Sequence, residues 1–524
     1  MTRLPRLFDC LLLCVIAGTA TSHADENATG RVFLDSNGNG QSDAGESGIA
    51  GVGVSNGREV VTTDQNGSYT ISVTDDTILF VIKPDQYRTQ LDENHVSRFY
   101  YIHKPKGSPA GLRFPGVDPT GPLPKEVNFP LYPQKESSEF DVLFFGDPQP
   151  RNQQEIDFMA HDVVESLAGS DAAFGVTLGD ILFDDLNLFD SFNRTVGKIG
   201  IPWYNVIGNH DINYRAARDE DSDETFERVY GPAYYSFNYG GVHFIVVDDV
   251  HWMTDGEKTF YRSGLSDAQL EFIENDLKQV PQDTLVVAMM HIPLVKSTAW
   301  LKPKRERLFR ILESREHCVS LAGHTHHHEH VMIGSESGWK RPQPHHHIIN
   351  VTVSGSWWSG SPDEQGIPHT MCKDGTPNGH TIMHFDAGQY ALEYRAARRP
   401  ASYQIRVMAD EEVSAGAEPV VYANVFNALP GAVVEWRAGE SGTWKKMTRA
   451  NEPDPVFARL FAEEQALKKA GQLKWKALIG PMVSPHLWKT TLPKDMAAGT
   501  WDLQVRCHNP NGQKFFATRI IRVK

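Results

Sequence analysis

Five apolar runs in this chain each stop abruptly on a side chain that can bind a metal, and this pattern constrains the fold more than any other feature. The clearest run spans residues 200–211. Pro202 stands where a strand tolerates a missing N–H. Trp203 to Ile207 favour β structure, and Gly208 permits a turn that a Cβ would resist. Asn209, His210 and Asp211 follow together. The other runs deliver Asp147 and Gln149 after Phe145, Asp180 after Leu178, His291 after Met290, and His324 and His326 after Ala322. Oxygen and imidazole ligands at the carboxyl ends of strands sit where α/β sheets bind ligands. Mixed Asp/His/Asn sets suit hard or borderline divalent metals.

The pattern between these runs is α/β. Apolar residues recur at helical spacing over residues 153–167, and residues 187–199 read as a second helix. Residues 214–227 carry Asp219, Glu220, Asp221, Asp223 and Glu224 and are expected to form a solvated loop. Residues 234–247 read as a hairpin. Asp248 and Asp249 close its second strand and stay outside the expected ligand set.

The order and spacing of Gly146-Asp147-Pro148-Gln149, Gly179-Asp180, Gly208-Asn209-His210-Asp211, His291 and Gly323-His324-Thr325-His326 resemble the calcineurin-like metallophosphoesterases over about residues 140–394. The resemblance implies an α/β fold, a two-sheet sandwich flanked by helices, with all-β domains at both ends of the chain. It also implies two divalent transition metals (Mn, Fe or Zn). Metal one takes Asp147 and His326, with Gln149 contacting it directly or through water. Metal two takes Asn209, His291 and His324, and Asp180 bridges both. Gln149 replaces the family's usual histidine. His210 is the expected catalytic residue, stabilising phosphoryl oxygens or protonating the leaving group. The family often places an aspartate three residues after the bridging one. Here that position is Phe183, so Asp184 is the candidate partner of His210. By likeness to secreted three-domain relatives, the loop containing Asn378 and His380 borders the metals. Trp357 and Trp358 either stack on an organic leaving group or pack in core and rim. Asn209 joins these four as a substrate contact.

The flanks differ in character. Arg3 and Arg6 precede an apolar run and small residues, so residues 1–24 read as a secretory signal peptide. Export to the periplasm or the exterior follows, with no transmembrane segment expected. Residues 28–91 read as a small β domain. Within it Asp35, Asn37, Asn39, Gln41, Asp43 and Glu46, with Gly40, have the oxygen spacing of an EF-hand loop, between strand-like flanks. This resembles the Ig-like B-type repeats of bacterial surface proteins and implies one structural Ca²⁺. Residues 92–138 are proline-rich and read as an extended connector, residues 139–397 as the catalytic domain, and residues 398–524 as a β-sandwich. Of five cysteines, Cys10 and Cys14 leave with the signal. Cys318 and Cys372 form a bridge, or all three remaining cysteines are thiols.

At 524 residues the chain accommodates roughly three domains. A net charge of -15 argues against binding a nucleic-acid backbone. The expected function is hydrolysis of phosphate esters by a metal-bridging hydroxide. Phosphomonoesters head the list, with a phosphorylated small molecule, lipid head group or phosphoprotein as partner. A phosphodiesterase on lipid or nucleotide head groups, and a non-enzymatic surface protein with a structural metal site, are the alternatives.

Overall fold

The computed structural model describes residues 26–255, 258–297 and 300–524. The signal peptide expected at residues 1–24 lies outside them. The fold is mixed α/β, with β-rich regions at both ends of the described chain. Among the described residues, no helix is long and apolar enough to cross a membrane.

Two sheets form the centre. The first has five strands in the order Trp203–Val206, Phe174–Leu178, Glu139–Phe145, Gly379–Asp386 and Gln389–Ala396. Its first three strands are parallel and the last two are antiparallel additions. The second has six strands in the order Tyr235–Tyr239, Val242–Val246, Leu285–Met289, Cys318–Ala322, His345–Ile349 and Glu329–Ile333. Its inner four are parallel. Aromatic side chains fill the space between the sheets. The rings of Phe174 and Phe244 meet edge-on at 5.1 Å, and Phe140 stacks on Phe385 at 4.8 Å. Each such fully buried ring stabilises the sandwich by about 1.5–3 kcal/mol.

Helices cover the outer faces. Gln153–Asp162 starts where the Asn152 side chain accepts from the Glu155 N–H, an N-cap that satisfies an otherwise orphaned donor. It ends earlier than the periodicity suggests, and residues Val164–Leu167 continue as a tighter 3-10 turn. Phe189–Val196 packs Phe192 and Val196 onto the first sheet's outer core. Asp267–Leu277, capped by Ser266, and Lys302–Glu313 cover the second sheet.

Two expectations are corrected here. Residues 92–138 are not simply an extended connector. Phe129–Pro133 pairs in parallel with Glu26–Leu34, and Tyr100–His103 pairs with Thr77–Val81. The boundary expected at residue 91 therefore falls inside two sheets. Proline density hid these strands, because Pro130 and Pro133 are placed where the strand remains tolerable. The acidic stretch at residues 214–227 is not a solvated loop either. It enters the helix Glu224–Tyr230, and Glu224 is completely buried against Lys104 and Ser108. Lys104, from a distant stretch, neutralises Glu224, whereas Glu220 stays exposed and Asp219 and Asp221 pair with His251 and Arg218.

The C-terminal region is two β-sheets around one core that includes Val421, Trp436, Val505 and Ile521. A helix, Pro455–Lys469, is capped by Asp454. Cys318, Cys372 and Cys507 are free thiols, so the Cys318–Cys372 bridge is absent from the described residues.

Candidate metal centre

The five ligand-bearing runs end in two different sheets whose carboxyl ends converge. Glu139–Phe145, Phe174–Leu178 and Trp203–Val206 bring Asp147, Gln149, Asp180 and Asn209, whereas Leu285–Met289 and Cys318–Ala322 bring His291, His324 and His326. The backbone is bent sharply to aim them. Of the thirteen non-glycine residues with positive φ among the described residues, eight are here: Asp147, Gln149, Asp180, Asp184, His324, His326, Trp357 and Trp358. Left-handed backbone at bulky residues is strained, and such strain concentrates at functional sites. Gly208 and Gly323 allow the close approach. A Cβ on Gly208 would lie 1.9 Å from the Asp180 nitrogen, and one on Gly323 would lie 2.2 Å from an Asp147 carboxylate oxygen.

Ligand atoms converge on His291 Nε2. Asp180 Oδ1 lies 3.2 Å from it, Asn209 Oδ1 3.1 Å and His324 Nδ1 3.2 Å. The ligand atoms of Asp180, His291 and His324 all lie within 4.8 Å of one another. His291 Nδ1 donates to the Leu178 carbonyl at 2.9 Å, which fixes the ring so that Nε2 points into the cluster. His326 is set the same way. Its Nδ1 donates to Gly355 O at 2.6 Å while Nε2 faces Asp147 Oδ2 at 3.3 Å. Gln149 donates through Nε2 to Asp180 Oδ2 at 2.8 Å. Its Oε1 is buried and without a hydrogen-bond partner among the described residues.

The electrostatics follow from burial and crowding. Burial, helped by the Asp180 charge, pushes the Asp147 carboxyl up to about 7. Burial also opposes ionisation of Asp180, yet His291 and His210 outweigh it and hold that carboxyl below its ordinary value. Burial disfavours a charged His291, but the neighbouring Asp180 raises it to about 10. Burial drives His324 and His326 down to about 3, leaving neutral imidazoles. Metals are ligated by neutral imidazoles and ionised carboxylates, so His324, His326 and Asp180 are already in the ligating form, whereas a cation would have to displace protons from His291 and Asp147.

The remaining expected residues divide. His210 Nδ1 lies 2.7 Å from Asp184 Oδ1, and its ring stacks on Phe183 at 4.4 Å. Asp211 stands outside the cluster and accepts from the N–H groups of Ile181, Leu182 and Gly208, which fixes both turns. Asp249 does the same for His291 and Ile292. Trp357 is half-buried with its ring 4.4 Å from that of His326. Trp358 turns away, buried, with its indole N–H on Pro148 O at 2.9 Å. Two other expected substrate contacts are not brought to the cluster. Asn378 donates to Asp162 and to the Val353 carbonyl, and His380 is buried 6.0 Å from the Phe145 ring. Asn378 is held inward by the Asp162 carboxylate and the Val353 carbonyl, and His380 by its packing beside Phe145. Two residues that reach the cluster's rim through Trp357, Arg151 and Lys476, carried no sequence signal, whereas Lys373 lies in the loop expected to border the metals. A lone cation in a loop cannot be told from a surface one without knowing what folds beside it.

The residues of the expected calcium loop close on one another. Asp35 accepts from Gly38 and Gly40 N–H at 2.7 Å each and from the Tyr132 hydroxyl at 2.8 Å. Asn37 and Asn39 both donate to Asp43, and Glu46 accepts from Ser36 and Asp43 N–H. The Asn39 side-chain oxygen accepts from the Gln41 N–H at 2.8 Å.

Three family models match successive parts of the chain. The calcineurin-like phosphoesterase model covers residues 140–328, the stretch that supplies every residue of the cluster. The models for the N terminal and the C terminal of calcineurin-like phosphoesterase cover residues 36–117 and 347–515. The chain belongs to the calcineurin-like phosphoesterase superfamily. The N-terminal match runs across residue 91, as do the sheets. In this calcineurin-like protein the fold and the Asp180, His291 and His324 cluster support metal-dependent hydrolase chemistry. No curated protein matches the chain. Among solved structures, the purple acid phosphatase PPD1 from yellow lupin (Lupinus luteus) seeds is 14% identical over 71% of this chain and 66% of that one, with a TM-score of 0.36. The sulfur carrier protein SoxY from Chlorobium limicola f thiosulfatophilum is 16% identical over 24% of this chain and 81% of its own, with a TM-score of 0.14. Both are too distant in backbone geometry to carry a functional reading.

Proposed function

We propose that this protein is a dinuclear-metal phosphoesterase acting on phosphate monoesters outside the cytoplasm. The observation that carries this reading is the convergence of Asp180, Asn209 and His324 on His291 Nε2. One proton cannot serve three acceptors well, whereas a divalent cation can. The buried, unpartnered Gln149 Oε1 fits the same requirement on the other side of Asp180. Asp147, Gln149 and His326 would hold one ion, and Asn209, His291 and His324 the other, with Asp180 shared. When bound, such ions lower the pKa of a water and neutralise charge on the phosphoryl oxygens.

The chain's own residues do the rest. Asp184 orients His210, and together with Asp180 it raises the imidazole's affinity for a proton against the effect of burial. A protonated His210 beside Asn209 can deliver that proton to the leaving oxygen. Tyr214 donates to the Asn209 carbonyl at 2.5 Å and fixes the turn that presents both. A phosphodiesterase is the second reading, and turnover of a diester in preference to the monoester would favour it. The calcium loop at Asp35–Glu46 is proposed as a structural Ca²⁺ site, and the leader as an export signal.

The test is elemental analysis and hydrolysis of a generic aryl phosphate by the purified full chain, before and after chelation. About two transition ions per chain and activity restored by metal are expected. Asp180→Asn should lose both. Full turnover after complete metal removal, or bound metal with no turnover of mono- or diesters, would overturn the proposal.

A further inference from the structure

The protein carries a net charge of -15, yet the turn at Trp357 gathers three cations. Trp357 and Trp358 are consecutive left-handed residues, with φ of 60° and 48°. The Trp357 ring lies 4.4 Å from that of His326. The Trp357 carbonyl accepts from Arg151 Nη2 at 2.8 Å and from Lys476 Nζ at 2.5 Å. Lys373 Nζ stands 5.1 Å from the centre of the Trp357 ring, and its backbone N–H donates to the His326 carbonyl at 2.8 Å. Arg151 also packs over Phe183, 4.9 Å from the ring centre, and Phe183 in turn stacks on His210. The cations therefore run from the His210 side of the cluster to the His326 side.

Their compensation is uneven. Arg151 is partly neutralised by Glu155 at 2.9 Å. Among the described residues Lys373 and Lys476 form no ion pair: Lys373 feels the charge of the cluster's Asp147, and Lys476 is held by the Trp357 carbonyl. Lys476 is not a wandering surface side chain. It arrives from the C-terminal region on a strap that is tied down at several points. Gly360 N–H donates to its carbonyl at 2.8 Å, Leu478 N–H donates to Glu464 at 2.6 Å, and Met482 N–H donates to the Lys373 carbonyl at 2.9 Å. Leu478 is buried with Met371 and Phe457. One tryptophan thus carries an ammonium group at its ring, Lys373, and another at its carbonyl, Lys476; an anion reaching both would relieve their repulsion.

We infer that Lys373 and Lys476, with Arg151 behind them and Trp357 as floor, form a second anion subsite beside the metal centre. It selects phosphoesters whose leaving group carries a further negative charge, a phosphate or a carboxylate. This rests on the phosphoesterase reading for turnover but not for binding. It also gives the C-terminal region a role in substrate choice.

The experiment uses a matched pair, 4-(carboxymethyl)phenyl phosphate and its neutral twin 4-(2-hydroxyethyl)phenyl phosphate, with the corresponding phosphonates as non-hydrolysable ligands. In the full-length metal-replete protein the charged ester should have a kcat/KM about tenfold or more above the neutral one, the size of one charge-assisted hydrogen bond. The charged phosphonate should bind tighter by a similar factor in calorimetry. In Lys476→Met, at an exposed position, and in Lys373→Met, both ratios should fall toward one. Equal ratios in the wild type, or ratios unchanged in both variants, overturn the subsite. A phosphonate preference without turnover of either ester keeps the subsite and overturns the phosphoesterase reading. Turnover of both esters without discrimination in either assay does the reverse.

Discussion

His210 and Asp184 face each other across two loops, with Nδ1 and Oδ1 2.7 Å apart. Asp184 is itself in left-handed backbone, φ 60°, one residue beyond the place where the family often has its aspartate. The extra residue, Phe183, is used: its ring stacks on the imidazole, so His210 is held from its edge by a carboxylate and from its face by an aromatic.

His210→Ala should therefore keep both metals and lower turnover by about a hundredfold or more, the usual range for loss of a general acid. Asp184→Asn removes only the orienting charge and should cost roughly tenfold. Metal analysis beside steady-state kinetics checks both. Metal loss in His210→Ala with unchanged activity per bound ion would show that the histidine ligates instead.

Gln149 offers a buried Oε1 and anchors its Nε2 on Asp180. Gln149→His should retain a competent centre, since imidazole is the better donor at a ligand position. Gln149→Leu should weaken metal binding by roughly ten- to a hundredfold. Competition with a chelating dye measures this. An affinity unaffected by the leucine would exclude a role for Gln149 in holding metal.

Calcium should protect residues 35–46 from hydrogen exchange in the full chain, because a bound ion favours the closed loop by mass action. Glu46→Gln should abolish that protection while leaving the transition-metal content at Asp180 unchanged. Identical exchange with calcium and with chelator would mean that the loop-internal hydrogen bonds of Asp35, Asp43 and Glu46 suffice by themselves.

Lys104 is nearly inaccessible and joins Glu224, Asp76 at 2.8 Å and Glu227 at 3.7 Å. Lys104→Met leaves the fully buried Glu224 without its cation and should destabilise the chain by about 3–5 kcal/mol. The double variant Lys104→Met/Glu224→Gln should recover part of this loss in urea unfolding. A single variant as stable as the wild type would show that the buried charge finds another partner.

Much of the centre is legible locally. Apolar runs set the strands, Gly208 and Gly323 mark the turns, and the ligand types are read directly from Asp147, Asp180, Asn209, His291, His324 and His326. These features depend on residues adjacent in the chain, where steric and propensity rules act. Partners far apart in the chain are not encoded that way. Only the tertiary structure decides that two separate sheets bring their ends together, that Trp357 faces His326 while Trp358 enters the core, and that Asn378 and His380 turn inward. It alone pairs Phe129–Pro133 with Glu26–Leu34, buries Glu224 on Lys104, and carries Lys476 from the C-terminal region to the rim of the centre. The physical reason is common to all of them. A side chain's chemistry is local, but its environment depends on what the rest of the chain packs around it.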